Sequence, residues 1–303
     1  MSVSQELPGD SSVRHLFDQS RSGPTALRIL LGTQLRHLRE TQGITREAAA
    51  DAIRSSASKI SRIERGRVAC KTGDVGDLLS LYGLVGGDER ADVLALARQV
   101  GTPGWWHQYN AVLPGWFELY LGLEGAASRI RTYEVQFVPG LLQTQDYARA
   151  VVLLGHPGAP EDELQQRVNL RMRRQRILTR PDAPKLWAVV DEAALLRRLG
   201  GPGVMEAQLR HLIEITKLPN VTLNVVPLRT EDYGAVGGPF TILRFAEPEL
   251  PDVVYLEQLT SALYLDKRRD IECYTAVMDQ LCVHAGTRAA TAETLDQILN
   301  GMS

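Results

Sequence analysis

The chain has 303 residues, room for about two domains at ~100–200 residues each. Hydrophobic residues make up 44% and charged residues 23%, values that exclude a mainly disordered or fibrous protein. The formal net charge is only −2, but Thr25 to Lys71 holds ten basic and four acidic residues, a surplus of six that leaves −8 on the rest. A small basic unit attached to an acidic body is the layout expected when one domain meets a polyanion.

Residues 1–24 are rich in Ser, Gly and Asp and read as a flexible arm, with Val13, Leu16 and Phe17 able to dock. No apolar h-region occurs between Met1 and Gln19, so no secretory signal is expected. From Thr25, the residues Leu27, Leu30, Leu31, Gln34, Leu35 and Leu38 recur at helical spacing, and Gly43 stops the helix. Thr45 is an N-cap for a second helix, Arg46 to Ile53, with Glu47 in its first turn and small alanines that permit close packing. Ser56 caps a third helix from Ala57 to about Arg65, in which Ile60 and Ile63 point inward and Ser58, Lys59, Ser61, Arg62 and Arg65 face out. Gly66 closes it. A fourth helix carries Val75, Leu78, Leu79 and Tyr82, and a further helical stretch runs from Asp88 to Gln99.

Two short helices joined by a tight turn, the second with a basic outer face, predict a helix-turn-helix in a domain spanning residues 25–100. Such a helix fits the major groove and presents donors to base edges and phosphates. The stretch ITREAAADAIRSSASKISRIERGR resembles the Xre or lambda-repressor-like family, with Ser56 to Gly66 on its recognition helix. The resemblance implies a phosphate contact by Arg46 and base contacts near Ala57 and Ser58. Alanine at position 57 departs from the Gln or Arg often found there, which shifts reading to Ser58, Lys59 and Arg62, with Ser61 on the same helix. Of these three, Lys59 and Arg62 carry the cationic donors suited to guanine O6 and N7. Arg65 and Arg67 lie past the helix end as a phosphate clamp. The resemblance also implies that Glu64 braces the fold through a buried Glu–Arg pair. Arg39 and Arg54 are expected to be plainly solvated.

Pro103 to Trp106 marks a boundary, and residues 101–303 are too long for a simple dimerisation tail. Helices are predicted over Trp116 to Ile130, Leu142 to Leu154, Glu161 to Leu178, Val204 to Lys217, Lys267 to His284 and Ala292 to Leu299. Tyr133 to Val138 reads as extended. Strands are predicted over Leu186 to Val190, Val221 to Val226, Phe240 to Phe245, Val253 to Leu256 and Ala262 to Leu265. The fold class is therefore α+β and multidomain: an all-α N-terminal domain, then a larger mixed α/β domain with a small sheet. This second region resembles the C-terminal domain of actinobacterial WhiJ-type regulators, through GWWHQY, YEVQFVPGLLQTQDYARAV, DEAALLRRLGG, QLRHLIEI, PNVTLNVVP and VVYLEQL. That resemblance implies a regulator encoded beside a small partner protein, sometimes as an antitoxin-like pair.

No chemistry is expected of the body. The histidines lack HxxxH or HExxH spacing, and Cys70, Cys273 and Cys282 lack CxxC spacing, so neither a metal site nor any cofactor is predicted. Gly234 to Gly238 lacks Gly-Lys-Ser/Thr and reads as a hairpin loop, and Asp191-Glu192 reads as an N-cap. Trp105, Trp106, Tyr109, Trp116, Phe117 and Tyr120 form an aromatic group for core packing or for anchoring the linker, with a ligand or partner surface, above all Trp105, Trp106, Tyr109 and Trp116, as the other reading. Arg167, Arg171, Arg173, Arg174 and Arg176 are expected to form a solvated helix face paired with Glu161 to Glu163. Together these features predict a cytoplasmic, non-enzymatic regulator that binds operator DNA as a homodimer, with no membrane span. The second reading is an antitoxin-like interaction protein that binds a small partner and uses DNA binding for autoregulation.

Overall fold

The computed structural model describes residues 24–100, 104–230, 237–246 and 250–301. The predicted arm and most of Gly234 to Gly238 lie outside them. Two compact units divide the chain, Met1–Trp105 and Trp106–Ser303.

The first unit is helical: α1 (Pro24–Thr41), α2 (Arg46–Ala52), α3 (Ala57–Glu64), α4 (Thr72–Leu81) and α5 (Asp88–Val100). Leu31, Leu35, Ala49, Ile60, Ile63, Val75, Leu78, Leu79 and Val93 are almost wholly buried and form one core. Each large aliphatic side chain there contributes about 1.5–3 kcal/mol through burial. Thr45 accepts from Ala48 N at 3.2 Å and Ser56 from Lys59 N at 3.2 Å, so both short helices start on side-chain caps. Gly66 ends the motif at φ +62°, where a Cβ would sit 2.5 Å from Ile29 Cγ1 and 2.6 Å from its Cα. No other residue type fits that approach.

The second unit is a mixed layer structure. Its helices are α6 (Gly115–Ala126), α7 (Gln145–Gly155), α8 (Glu161–Gln175), α9 (Glu192–Leu196), α10 (Pro202–Ile215), α11 (Arg268–His284) and α12 (Arg288–Asn300). Its strands are β1 (Arg129–Glu134), β2 (Lys185–Asp191), β3 (Val221–Val226), β4 (Phe240–Arg244), β5 (Val253–Glu257) and β6 (Ala262–Leu265), in the sheet order β3-β2-β1-β4-β5-β6. β1, β2 and β3 run parallel, joined by helical crossovers, while β4, β5 and β6 form antiparallel neighbours. One sheet face, carrying Tyr133, Val189, Phe240, Ile242, Val254 and Leu256, packs on Met278, Leu281 and Ala285 of α11 and its C-terminal end. Asp191 accepts from Ala193 N at 2.8 Å, the N-cap expected of it.

β1 departs from expectation. Helix α6 stops at Ala126, and Ile130, predicted as its end, lies in a strand that closes at Glu134 rather than running to Val138. The alternation Arg-Ile-Arg-Thr-Tyr-Glu is weak in isolation. It becomes a strand because β2 and β4 take up its backbone groups on both sides. The α7 boundary also moves, since Thr144 accepts from Tyr147 N at 3.3 Å and starts the helix three residues after Leu142. Buried Gln208 of α10 anchors that entry, accepting from Thr144 N at 2.7 Å and donating to Leu142 O at 2.8 Å.

Candidate nucleic-acid interface

The helix pair α2 and α3 is held by charge as well as by its apolar core. Arg39 of α1 is only 6% exposed. Its Nε donates to Glu64 Oε1, its Nη2 to Glu64 Oε2 at 3.2 Å, and its Nη1 to Ile44 O at 2.8 Å. The expectation that Arg39 is solvated is therefore corrected: it is the buried arm of the Glu64 brace. The hydrogen bond to Glu64 raises the Arg39 pKa above its ordinary value, against the pull of burial. Arg46 joins from α2, its Nε donating to Glu64 Oε2 at 3.1 Å, so one carboxylate ties α1, α2 and α3. The Arg46 side chain is nonetheless 42% exposed, which leaves its outer nitrogens open toward a phosphate.

The turn between the helices is set by Arg54, the one non-glycine with positive φ among the described residues, at 50°. Ser55 N then donates to Ala50 O at 2.9 Å, and Ser56 begins α3. The Arg54 side chain is exposed, as expected.

Helical geometry sorts the predicted readers on α3. Ser58, Ser61, Arg62 and Arg65 share one stripe at i, i+3, i+4 and i+7. Ser58, Arg62 and Arg65 are exposed, while Ala57, Lys59 and Ser61 are half-buried. Arg65 folds back on its own helix, with Nε donating to Ser61 O at 3.0 Å and Nη2 to Ser61 Oγ at 2.8 Å. Lys59 lies a quarter-turn off the stripe, its Nζ 3.8 Å from Asp74 Oδ2 of α4. Arg62 makes no hydrogen bond or ion pair with any described residue. Arg67 is exposed beyond the helix end. The stripe thus presents a short hydroxyl and an extended guanidinium to the outside, the donor set that reads purine edges or grips phosphates. Cys70, behind this helix, is buried and its thiol is pushed up to about 12, so it is a packing group.

The aromatic residues differ in burial. Trp106 is 7% exposed and packs inside, which removes it from any surface. Trp105, Tyr109 and Trp116 are half-buried. Beyond them, Phe117 stacks on Tyr120 at 5.3 Å between ring centroids, and Tyr120 meets Tyr255 at 4.2 Å.

The arginine face of α8 also needs correction. Arg167 pairs with Glu163 at 2.8 Å, as expected. Arg171 and Arg174 turn inward. Arg174 Nε meets Glu124 Oε2 of α6, its Nη2 lies 2.8 Å from Glu124 Oε1, and its guanidinium sits over the Tyr120 ring at 5.0 Å. Sequence periodicity missed this inward turn because Arg167 and Arg173 carry the same charge on the same helix. Among the described residues no group of three or more potential metal ligands occurs. No helix there is long and apolar enough to cross a membrane.

A tight helix-turn-helix with a donor-bearing outer stripe is the architecture of a DNA-binding domain, and residues 30–93 match the profile of a helix-turn-helix domain. Residues 117–297 match the profile of a domain of unknown function, DUF5753, and the chain belongs to that family. Searches of curated proteins and of solved structures each found no match.

Proposed function

We propose that the protein is a sequence-specific transcriptional regulator of the cytoplasm, with α3 in the major groove of its operator. The observation that carries this reading is Arg62, exposed and unengaged on a helix whose axis the Arg39–Glu64–Arg46 network fixes. Ser58 and Arg62 read base edges, while Arg46, Arg65 and Arg67 take phosphates and Lys59 flanks the stripe. Two copies act together, because one recognition helix covers too few base pairs to be selective in a genome. The second unit carries dimerisation or signal reception in this reading, with no catalytic step.

The test is fluorescence anisotropy of the purified protein on DNA from just upstream of its own gene, with scrambled competitor, at two salt concentrations. Tight binding that survives competitor and falls steeply with salt is expected if about 4–6 phosphates are neutralised per half-site. Weak binding, equal on both DNAs, overturns the reading and favours the interaction protein. In that event a small neighbouring protein would bind the second unit after Arg62→Ala as well as before it.

A further inference from the structure

The sheet face opposite α11 carries a polar set that the DNA reading leaves unused. Register places Thr132, Thr241, Tyr255 and Tyr264 side by side across β1, β4, β5 and β6, with Thr132 and Thr241 joined through their hydroxyls at 2.9 Å. Two residues farther along the same face, β1 ends at Glu134 and β5 at Glu257. Both strands run in one direction, so two carboxylates stand at the carboxyl edge of the sheet, about 10 Å apart in backbone across one intervening strand. β1 is also the strand where parallel pairing gives way to antiparallel pairing, and open sheets of this kind bind ligands at the carboxyl ends of strands beside such a switch.

The charges there are not closed on one another. Glu134 is enclosed by protein, keeps some accessible surface, and accepts no hydrogen bond from any described residue. Glu257 accepts one, from Tyr255 Oη at 2.9 Å. Arg174 is committed to Glu124, and Arg171 holds only Gln143 Oε1 at 3.1 Å. Farther out, Arg167 and Glu163 neutralise each other. Two guanidinium groups thus stand near three carboxylates, enclosed Glu124 and Glu134 and exposed Glu257, and the fully ionised set carries one net negative charge. A metal ion is a poor candidate, because the described residues hold no group of three or more ligating side chains. Aromatic rings stand beside these carboxylates: Tyr255, whose hydroxyl donates to Glu257, has its ring 4.2 Å from buried Tyr120 and 5.2 Å from half-buried Tyr264. Rings beside carboxylates suit an organic cation.

We propose that Glu134 and Glu257 form the binding site for a small molecule bearing a protonated amine, whose ammonium donates to both carboxylates. Arg171, which donates to Gln143 Oε1, borders the same site and attracts Glu134 and Glu257 by charge. The proton balance follows from the surroundings of Glu134. Burial first, and Glu257 second, push its carboxyl up to about 8, against Arg174 and Arg171 of α8, with the phenol of Tyr147 on α7 also nearby. Below that pH an incoming ammonium displaces one proton from Glu134 into solvent, and affinity rises with pH toward 8.

The experiment is isothermal titration calorimetry on the full-length protein with three probes: tyramine, its uncharged counterpart 4-ethylphenol, and the anionic 4-hydroxyphenylacetate. Tyramine alone is expected to bind, releasing a proton at pH 7, measured as a dependence of heat on buffer ionisation. Glu134→Gln and Glu257→Gln are each expected to weaken it about tenfold or more, and Glu134→Gln to abolish the proton release. No tyramine binding at millimolar concentration, equal binding of all three probes, or unchanged affinity in both variants overturns the proposal. Binding of 4-hydroxyphenylacetate alone overturns it too, by making Arg171 the recognition group. The probe comparison uses the wild-type chain and contains no DNA, so the result is independent of whether the operator reading holds.

Discussion

Each unit contains a buried arginine–glutamate pair beside a buried tyrosine: Arg39–Glu64 near Tyr82 in the first, Arg174–Glu124 against Tyr120 in the second. The pairs look alike locally and differ in what surrounds them. Glu64 is saturated, with both oxygens taken by Arg39 and Arg46, and Arg62 is left to face outward. In the second unit, burial lowers the Arg174 pKa but Glu124, Tyr120 and Glu257 together outweigh it and hold the group above its ordinary value, while neighbouring Arg171 is pulled down by burial to about 10. A saturated pair is a structural clamp. A pair with unsatisfied charges around it marks a place where something else can bind.

The largest expected effect breaks the clamp. Glu64→Ala leaves Arg39 buried without its carboxylate and frees α1 from α3, and should cost about 3–5 kcal/mol in denaturant unfolding. Arg171→Met in the second unit is the matched contrast. It removes a desolvated cation that holds a single amide oxygen, and stability should change by less than about 1 kcal/mol or rise. Equal losses in the two variants would erase the distinction between the units.

The next effect lies in pH. Glu134 has its pKa raised from 4.5 to about 8 in the folded chain, so its protonated form is the one folding favours. The stability this gives is fully present below pH 4.5 and is lost as pH rises toward about 8. Glu134→Gln should therefore match wild type near pH 4 and exceed it by up to about 4 kcal/mol near pH 8.5. Parallel unfolding profiles of the two proteins would show that Glu134 does not titrate in this window.

Much of the first unit is legible in its sequence because its signals are local. Thr45, Ser56 and Gly66 sit within a few residues of what they cap or close, and Ile60 and Ile63 announce the buried side of α3 by their spacing. The Arg39–Glu64 pair spans 25 residues, and Arg39 cannot be told from Arg36 until α1 packs on α3. The second unit depends more on such distances. Arg174 meets Glu124 50 residues away, and β1 is a strand only because β2 and β4 flank it. In the candidate site, exposure of Ser58 and Arg62 follows from the helical period, whereas the lean of Lys59 toward Asp74 does not. Glu134 and Glu257 carry no motif at all; a register across three strands brings them together.

Within the outer stripe of α3 the same contrast between engaged and unengaged charge orders the variants. Arg62→Ala removes a guanidinium with no internal partner. It should weaken operator binding by about 1–3 kcal/mol while leaving folding stability within about 0.5 kcal/mol. Lys59→Ala removes a cation that already leans on Asp74 and should weaken binding less. Anisotropy titrations of both variants, in the order opposite to this, would move the base-reading role to Lys59.

The smallest effect concerns the turn itself. Arg54 occupies the left-handed conformation at φ 50°, which elsewhere in the first unit Gly43 and Gly66 supply at φ 64° and 62°. An L residue with a Cβ costs about 1–2 kcal/mol there, part of which glycine returns as entropy of the unfolded chain. Arg54→Gly should thus raise stability by up to about 1 kcal/mol in thermal unfolding. The same change deletes an exposed cation between the two helices of the motif, and should lower affinity for operator and scrambled DNA alike. A variant that gains stability and loses this uniform share of binding would explain why a strained turn keeps arginine: its charge serves the phosphate backbone at the expense of the fold. A variant that loses stability would show that the Arg54 side chain supports the turn.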